Sequence, residues 1–231
     1  MEHLLDSVPL FQALPSPVCR QLASECQRLR FGKGAMIFEE HQPAEAVWVL
    51  KRGVVFLVKR TPQGSLATIF TMTPDEALCG ISAFERGTYS AGALAATDAQ
   101  VVRIPSATCG ELISQYPQFA EAVITSCIHR MRHMAETIRL GQAPVEQRLA
   151  SVLLRLRTTF GVTIPLTHHE LARMAGTRWE TSIRTLSTMK RKGWITSSRG
   201  KITVLAPEQL RHLVDGNGRT ASRDGTVRAG G

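Results

Sequence analysis

Nowhere in its 231 residues does this chain hold an apolar run approaching the roughly 20 residues that a bilayer-spanning helix needs. Its opening, Met1-Glu2-His3-Leu4-Leu5-Asp6, lacks a basic stretch ahead of an apolar one, so no export signal is expected. Cysteine is scarce: five residues, at 19, 26, 79, 109 and 127, odd in number and without a Cys-x-x-Cys pair. That usage speaks against a disulfide framework and suits thiols kept reduced in the cytoplasm. Also missing are Gly-x-Ser-x-Gly, His-Glu-x-x-His and a phosphate-binding loop, so no enzyme's nucleophile, metal pair or phosphate cradle is offered. The expectation is a cytoplasmic protein that is not an enzyme, holds no metal-ligand motif and does not enter a membrane.

What is present is basic charge, confined to one part of the chain. Lys and Arg number 28 against 19 Asp and Glu, a formal net charge of +9. Residues 142–231 carry 15 of the bases and 6 of the acids, whereas residues 1–141 carry 13 of each. The whole excess therefore lies toward the C-terminus, the footprint expected for a polyanionic partner.

Thr167 to Leu205 carries the most information. Thr167 followed by Glu170, and Thr177 followed by Glu180, read as two capping boxes, each marking a helix start. Leu171, Met174 and Ala175 give the first helix an apolar face, and Gly176 suits a tight turn because it tolerates positive φ. On the second helix Ser182, Leu186 and Met189 share the inward face, and Glu180, Arg184 and Arg191 the opposite one. Trp194-Ile195-Thr196 and Ile202-Thr203-Val204 then flank a turn at Arg199-Gly200, which predicts a hairpin beside the helix. This pattern is a winged helix-turn-helix, which lays one helix in the major groove of double-stranded DNA. An Arg and a Glu one turn apart at an exposed helix start match guanine O6/N7 and cytosine N4 respectively. The competing reading makes Glu180 a simple helix cap and Arg184 a solvated side chain.

Upstream, residues 1–30 read as short helices, 8–11 and then 16–29 with Val18, Leu22 and Cys26 on one face. From Phe31 to Pro105 short strands alternate with turn signals such as Gly32-Lys33-Gly34, Lys51-Arg52-Gly53 and Pro62-Gln63-Gly64, indicating a compact antiparallel barrel or jelly roll. A short helix over 106–117 precedes a long one over 118–141. In the long helix Ile124, Cys127, Met131, Met134 and Ile138 recur by threes and fours, a heptad seam that makes a dimer interface. The alternative is a helix packed only on its own domain. Gln142-Ala143-Pro144 interrupts it as a hinge, and 145–159 opens the second domain with Leu149, Val152, Leu153 and Leu156. The expected division is a sensor roll with N-terminal helices at 1–117, a dimerisation helix at 118–141, a winged helix-turn-helix at 142–215, and a disordered tail at 216–231.

A roll, a long helix and a winged helix-turn-helix in this order resemble the CRP/FNR family, the cyclic-AMP receptor protein and fumarate and nitrate reduction regulator type. The resemblance covers roughly 8–214 and rests on Phe11, the Lys51-Arg52-Gly53 turn, Gly80, Ser90-Ala91, the seam helix and the Glu180-Thr181-x-x-Arg184 motif. It implies an α+β fold with an N-terminal antiparallel β-roll of the cyclic-nucleotide-binding type. It also implies a transcription regulator that is a homodimer on a two-fold operator, with RNA polymerase as a further partner. In the implied DNA contact set, Glu180 and Arg184 read a half-site with a TGA core and Thr181 holds a phosphate, with Thr167, Arg178 and the wing residue Arg199 beside them. Trp179 and Ile183, one turn apart and apolar, suit thymine methyl groups. Trp179 covering the helix start is the other reading.

The effector is less defined. Members that bind cyclic AMP carry a Gly-Glu pair and, some ten residues later, an Arg-Ser pair that holds the cyclic phosphate. Here Ile81 follows Gly80, and Tyr89 precedes Ser90. Loss of charge-assisted hydrogen bonds of about 1.5–3 kcal/mol each lowers nucleotide affinity on the order of a hundredfold, so cyclic AMP is not expected. An iron–sulfur cluster needs four grouped thiolates, and only Cys19 and Cys26 lie near the N-terminus. Haem remains open, with His3, His41, His129 and His133 as candidate axial ligands; so does a thiol switch at Cys79, Cys109 or Cys127. The effector-pocket candidates are therefore Cys79, Gly80, Ile81, Tyr89, Ser90 and Cys127, with the cofactor unassigned. Members that regulate nitrogen-oxide respiration lack both the nucleotide residues and the cluster cysteines, and this chain is similar to them in that. The rival class is a cyclic-nucleotide-type sensor module that regulates a protein partner without specific DNA binding.

Overall fold

The computed structural model describes residues 5–78 and 87–215. Contacts divide the chain into two compact units, Met1–Glu136 and Thr137–Gly231. The division falls inside the long helix, and each unit builds its own core.

In the first unit, a 3-10 turn at Pro9–Phe11 leads into helix α1 (Ser16–Glu25). Eight strands follow: β1 (Gln27–Phe31), β2 (Met36–Phe38), β3 (Ala46–Arg52), β4 (Val55–Arg60), β5 (Leu66–Met72), β6 (Ala77–Leu78), β7 (Gly92–Ala95) and β8 (Ala99–Pro105). They form two four-stranded antiparallel sheets, ordered β1-β8-β3-β6 and β2-β7-β4-β5. Among the described residues β1 and β6 are the edge strands of the first sheet, and β2 and β5 those of the second. Val47 to Leu50 of β3 and Val55 to Val58 of β4 are all buried, since their strands lie in the interior of their sheets. Gly53 makes the turn between them at φ +93°, where a Cβ would stand 2.3 Å from the Asp98 carbonyl. Only glycine fits there.

One sequence expectation fails in this unit. The first long helix ends at Glu25 rather than continuing through residue 29, and Cys26 is already extended. Gln27–Phe31 pairs antiparallel with β8, Leu29 opposite Val101. The apolar spacing of 16–29 satisfies a helix locally, but the free edge of β8 offers a ladder of backbone hydrogen bonds that outweighs it.

Helix α2 (Ser106–Gln115) and the long α3 (Pro117–Gly141) follow. Pro117 takes the first helical position, where its missing N–H costs nothing. Phe119 is fully buried and packs on Phe11, ring centroids 5.6 Å apart, which ties the helix start to the N-terminal turn.

The second unit holds α4 (Val145–Phe160), α5 (His168–Met174), α6 (Trp179–Arg191) and α7 (Pro207–Asp215). Strands β9 (Thr163–Ile164), β10 (Ile195–Ser198) and β11 (Lys201–Val204) make a sheet ordered β10-β11-β9. Its core is Leu149, Leu153 and Leu156 of α4 against Leu171, Leu186, Met189 and Leu210, all essentially inaccessible. Strand β9 and helix α7 are additions to the sequence reading. Two residues are too few to show strand periodicity, and the apolar signal of α7 reduces to one fully buried position, Leu210.

Candidate nucleic-acid interface

The helix-turn-helix forms from local capping chemistry. Thr167 caps α5: the Glu170 N–H donates to the Thr167 hydroxyl at 3.4 Å, and the Glu170 carboxylate takes the Thr167 N–H, a complete capping box. The Thr167 hydroxyl also donates to that carboxylate. Both polar groups of Thr167 thus serve the helix start. The turn runs through Ala175 and Gly176, the latter at φ +57°.

The second capping box does not form. Helix α6 starts at Trp179 with Arg178 as its cap, and no side chain caps it. The reason lies one residue earlier: the Thr177 N–H donates to the Ala172 carbonyl at 3.0 Å, which commits Thr177 to closing the turn. Glu180 is thereby released from capping and stands exposed in the first turn.

Along α6, Ser182, Leu186 and Met189 face the core. Trp179, Glu180 and Arg184 are exposed, Trp179 at 50%, while Thr181 and Ile183 are half-buried. Among the described residues the side chains of Glu180 and Arg184 take no protein partner. An acid and a base left free at a helix start keep their hydrogen-bonding capacity for base edges. Arg178 and Arg199 are exposed as well, the latter at the two-residue tip of the β10–β11 hairpin, where Ser198 pairs with Lys201.

Sequence reasoning missed what holds this helix in place. Arg148, in the first turns of α4, donates from Nη1 to the Gly176 carbonyl at 2.9 Å, gripping the turn itself. Glu146 meets Lys192 at 3.2 Å just beyond the other end of α6, and the same ammonium lies 4.3 Å from the centre of the Trp194 ring. Both ends of the reading helix are thus latched to residues that directly follow Gln142-Ala143-Pro144. Contacts at sequence separations of 28 and 46 residues leave no periodic trace.

On α3 the seam residues are exposed: Ile124 at 59%, Met131 at 69% and Ile138 at 73%, with Met134 alongside and Cys127 half-buried. Ile128, not counted in the seam, is exposed too. Together these six apolar or thiol side chains form a largely exposed stripe along one helix.

Of the effector-pocket candidates, Tyr89, Ser90 and Cys127 lie among the described residues. Cys79, Gly80 and Ile81 lie outside the described residues. Tyr89 is buried, accepts from Trp48 Nε1 at 2.9 Å, donates to the Ala46 carbonyl at 2.9 Å and stacks on Phe38 at 4.0 Å. It is a satisfied core residue, so the position where the resemblance puts a phosphate-binding arginine presents no charge. Ser90 is exposed, and Cys127 belongs to the helix stripe. Burial pushes the Cys109 thiol up to about 12 and, with Glu25 nearby, the Cys26 thiol up to about 11. Both stay protonated and poorly reactive. A cavity of about 640 Å³ instead opens between β5 and one face of α3, with Phe70 and Met72 on one wall and Ser126, His129, Arg130 and His133 on the other. His41, another candidate ligand, sits at the surface 3.7 Å from Glu40. His3 lies outside the described residues. Among the described residues no three His, Cys, Asp or Glu side chains group as a metal site.

Two antiparallel sheets forming a roll in one unit, and a winged helix-turn-helix with an exposed acid and base at the start of its second helix in the other, define a DNA-binding transcription regulator. Comparison with known proteins gives the same class. A cyclic nucleotide-binding domain profile matches residues 28–116, and a Crp-like helix-turn-helix profile matches 147–213. The CRP-like cAMP-activated global transcriptional regulator of Mycobacterium tuberculosis is 24% identical over 219 residues, 91% of this chain and 98% of that protein. The nitrogen fixation regulation protein FixK of Bradyrhizobium diazoefficiens is 26% identical, covering 81% of each. The solved structure of FixK2 from Bradyrhizobium japonicum shares the fold with a TM-score of 0.74 at 19% identity, over 81% of this chain and 96% of that one. The chain belongs to the CRP/FNR family of transcription regulators.

Proposed function

We propose that the protein is a cytoplasmic homodimer that reads a two-fold DNA operator through α6 and recruits or meets RNA polymerase there, acting by binding and not by catalysis. Glu180 and Arg184 read the half-site, Trp179 and Ile183 meet thymine methyl groups, and Thr181, Arg178 and Arg199 hold phosphates. The exposed stripe on α3 supports dimerisation, since about two heptads of apolar side chains bury well only against a second helix. The signal enters at the roll and is not a cyclic nucleotide, a reading supported by the uncharged, fully bonded Tyr89. Effector and DNA then favour the same arrangement of the two units, a shift of populations.

The observation that carries this reading is the pair of free, opposite charges at the start of α6, on a helix whose other side is buried. The test is a titration of Arg184→Ala against an operator selected with the parent protein and against random duplex. Operator binding should weaken by about 1–3 kcal/mol per half-site, with random binding nearly unchanged. Equal operator binding by variant and parent would overturn it. Absence of salt-dependent binding to any duplex would favour the protein-partner class instead.

A further inference from the structure

The cavity between β5 and α3 lies wholly within the first unit and carries chemistry that the DNA reading does not use. Its volume of about 640 Å³ falls in the range of small-molecule sites, roughly 300–1,000 Å³. Leu10, Phe70, Met72, Ala77 and Ala122 make it largely apolar. Into this apolar space α3 presents Arg130, whose Nη2 donates to the Ala77 carbonyl and whose guanidinium carbon lies 5.9 Å from the centre of the Phe70 ring. A carbonyl and a ring face hold the guanidinium in one orientation but leave its charge unmatched, and most of its five N–H donors remain available.

The acids of the same wall are already engaged. Asp75 is held by Lys51 at 2.6 Å and by the Ser7 hydroxyl at 2.9 Å. The Glu76 carboxylate accepts the Thr73 N–H at 2.7 Å. Among the described residues Arg130 takes no carboxylate. A fixed cation facing an apolar cavity is costly unless an anion joins it.

We infer that this cavity binds a small organic acid, a single carboxylate on an apolar or aromatic body, with Arg130 gripping the carboxylate and Phe70 and Met72 covering the body. The inference rests on the reading of the roll as the sensing unit and supplies the ligand class that reading lacks. Arginine suits the role because its planar fork meets both carboxylate oxygens at once. His133, edge-on to Phe70 at 4.8 Å, stands beside the same headgroup.

The test compares 4-phenylbutyrate with 4-phenylbutan-1-ol, equal in body and different in charge, by calorimetric titration of the full-length protein. The acid should bind at least tenfold more tightly than the alcohol. Arg130→Gln keeps an N–H for the Ala77 carbonyl and removes the charge, and should bring the two within about twofold. Ala122→Leu takes up cavity space, leaves Arg130 in place, and should weaken both at least tenfold. Equal affinities in the parent, an acid preference that survives Arg130→Gln, or no binding of either compound at millimolar concentration would overturn the inference. Repeating operator titrations with the acid present separates the two claims. Acid binding through Arg130 with unchanged operator affinity upholds the cavity's chemistry and removes its control over DNA.

Discussion

The two units offer surfaces of opposite kinds. The second unit offers an exposed helix start on which the candidate readers fall within six consecutive positions, Trp179 to Arg184, on a background of net positive charge. The first unit is near-neutral, with 12 bases against 13 acids, and its cavity draws on the N-terminal turn, β5, the residues beside β6 and the middle of α3. DNA is a regular, uniformly charged polymer, so a helix start with the right side chains suffices to address it. A small molecule must be enclosed, which needs elements far apart in the chain. The difference explains why the DNA partner is readable from residue order and the effector is not.

That contrast can be broken most forcefully in the cores. Leu153→Ala removes a fully buried side chain from α4 and should cost about 2–5 kcal/mol. If the units are energetically separate, calorimetry will show the C-terminal transition moving down while that of the roll stays. A joint shift would mean that they unfold as one.

A smaller effect should come from the latch on the reading helix. Arg148→Lys preserves the charge but not the planar donor on the Gly176 carbonyl, and among the described residues the buried Arg148 Nε has no partner. About 1 kcal/mol should be lost, seen as a several-fold weaker affinity for operator with random-duplex affinity nearly constant. Parallel weakening on both DNAs would assign Arg148 to stability alone.

The smallest effect concerns pH. Burial, with Lys190 nearby, holds His168 below its usual range. Its neutral form is therefore the one favoured in the fold, so its contribution is intact above the ordinary histidine pKa of about 6.5 and fades as pH falls below it. The C-terminal transition should soften between about pH 7.5 and 5.5, and His168→Asn should flatten that dependence. An unchanged slope in the variant would place the effect elsewhere.

Motifs resting on short-range chemistry were legible wherever a single local partner decided the outcome. The Thr167–Glu170 box, the Gly176 turn and the Arg199-Gly200 hairpin each join residues within a few positions, and each formed as read. The Thr177–Glu180 box has the same spelling and did not form, because the Thr177 N–H had a better acceptor in Ala172. The stretch after Glu25 failed likewise: helical spacing lost to the edge of β8. Tyr89 was read as a pocket residue because its position follows a family motif, yet Trp48 and Ala46, more than forty residues away, absorb its hydroxyl.

Residue order alone determined the succession of roll, long helix and winged helix-turn-helix, the separation of charge between the halves, the apolar stripe of α3 and the side chains offered at the start of α6. Each follows from periodicity, capping or composition, which act over a turn or two of chain. Tertiary structure alone decided which acids neutralise which bases, that Arg148 and Glu146 reach the two ends of the reading helix, and that Arg130 faces an apolar hollow. Those outcomes depend on burial and on distances between segments tens of residues apart, and a charge or a hydroxyl has no settled role until its neighbours in space are known.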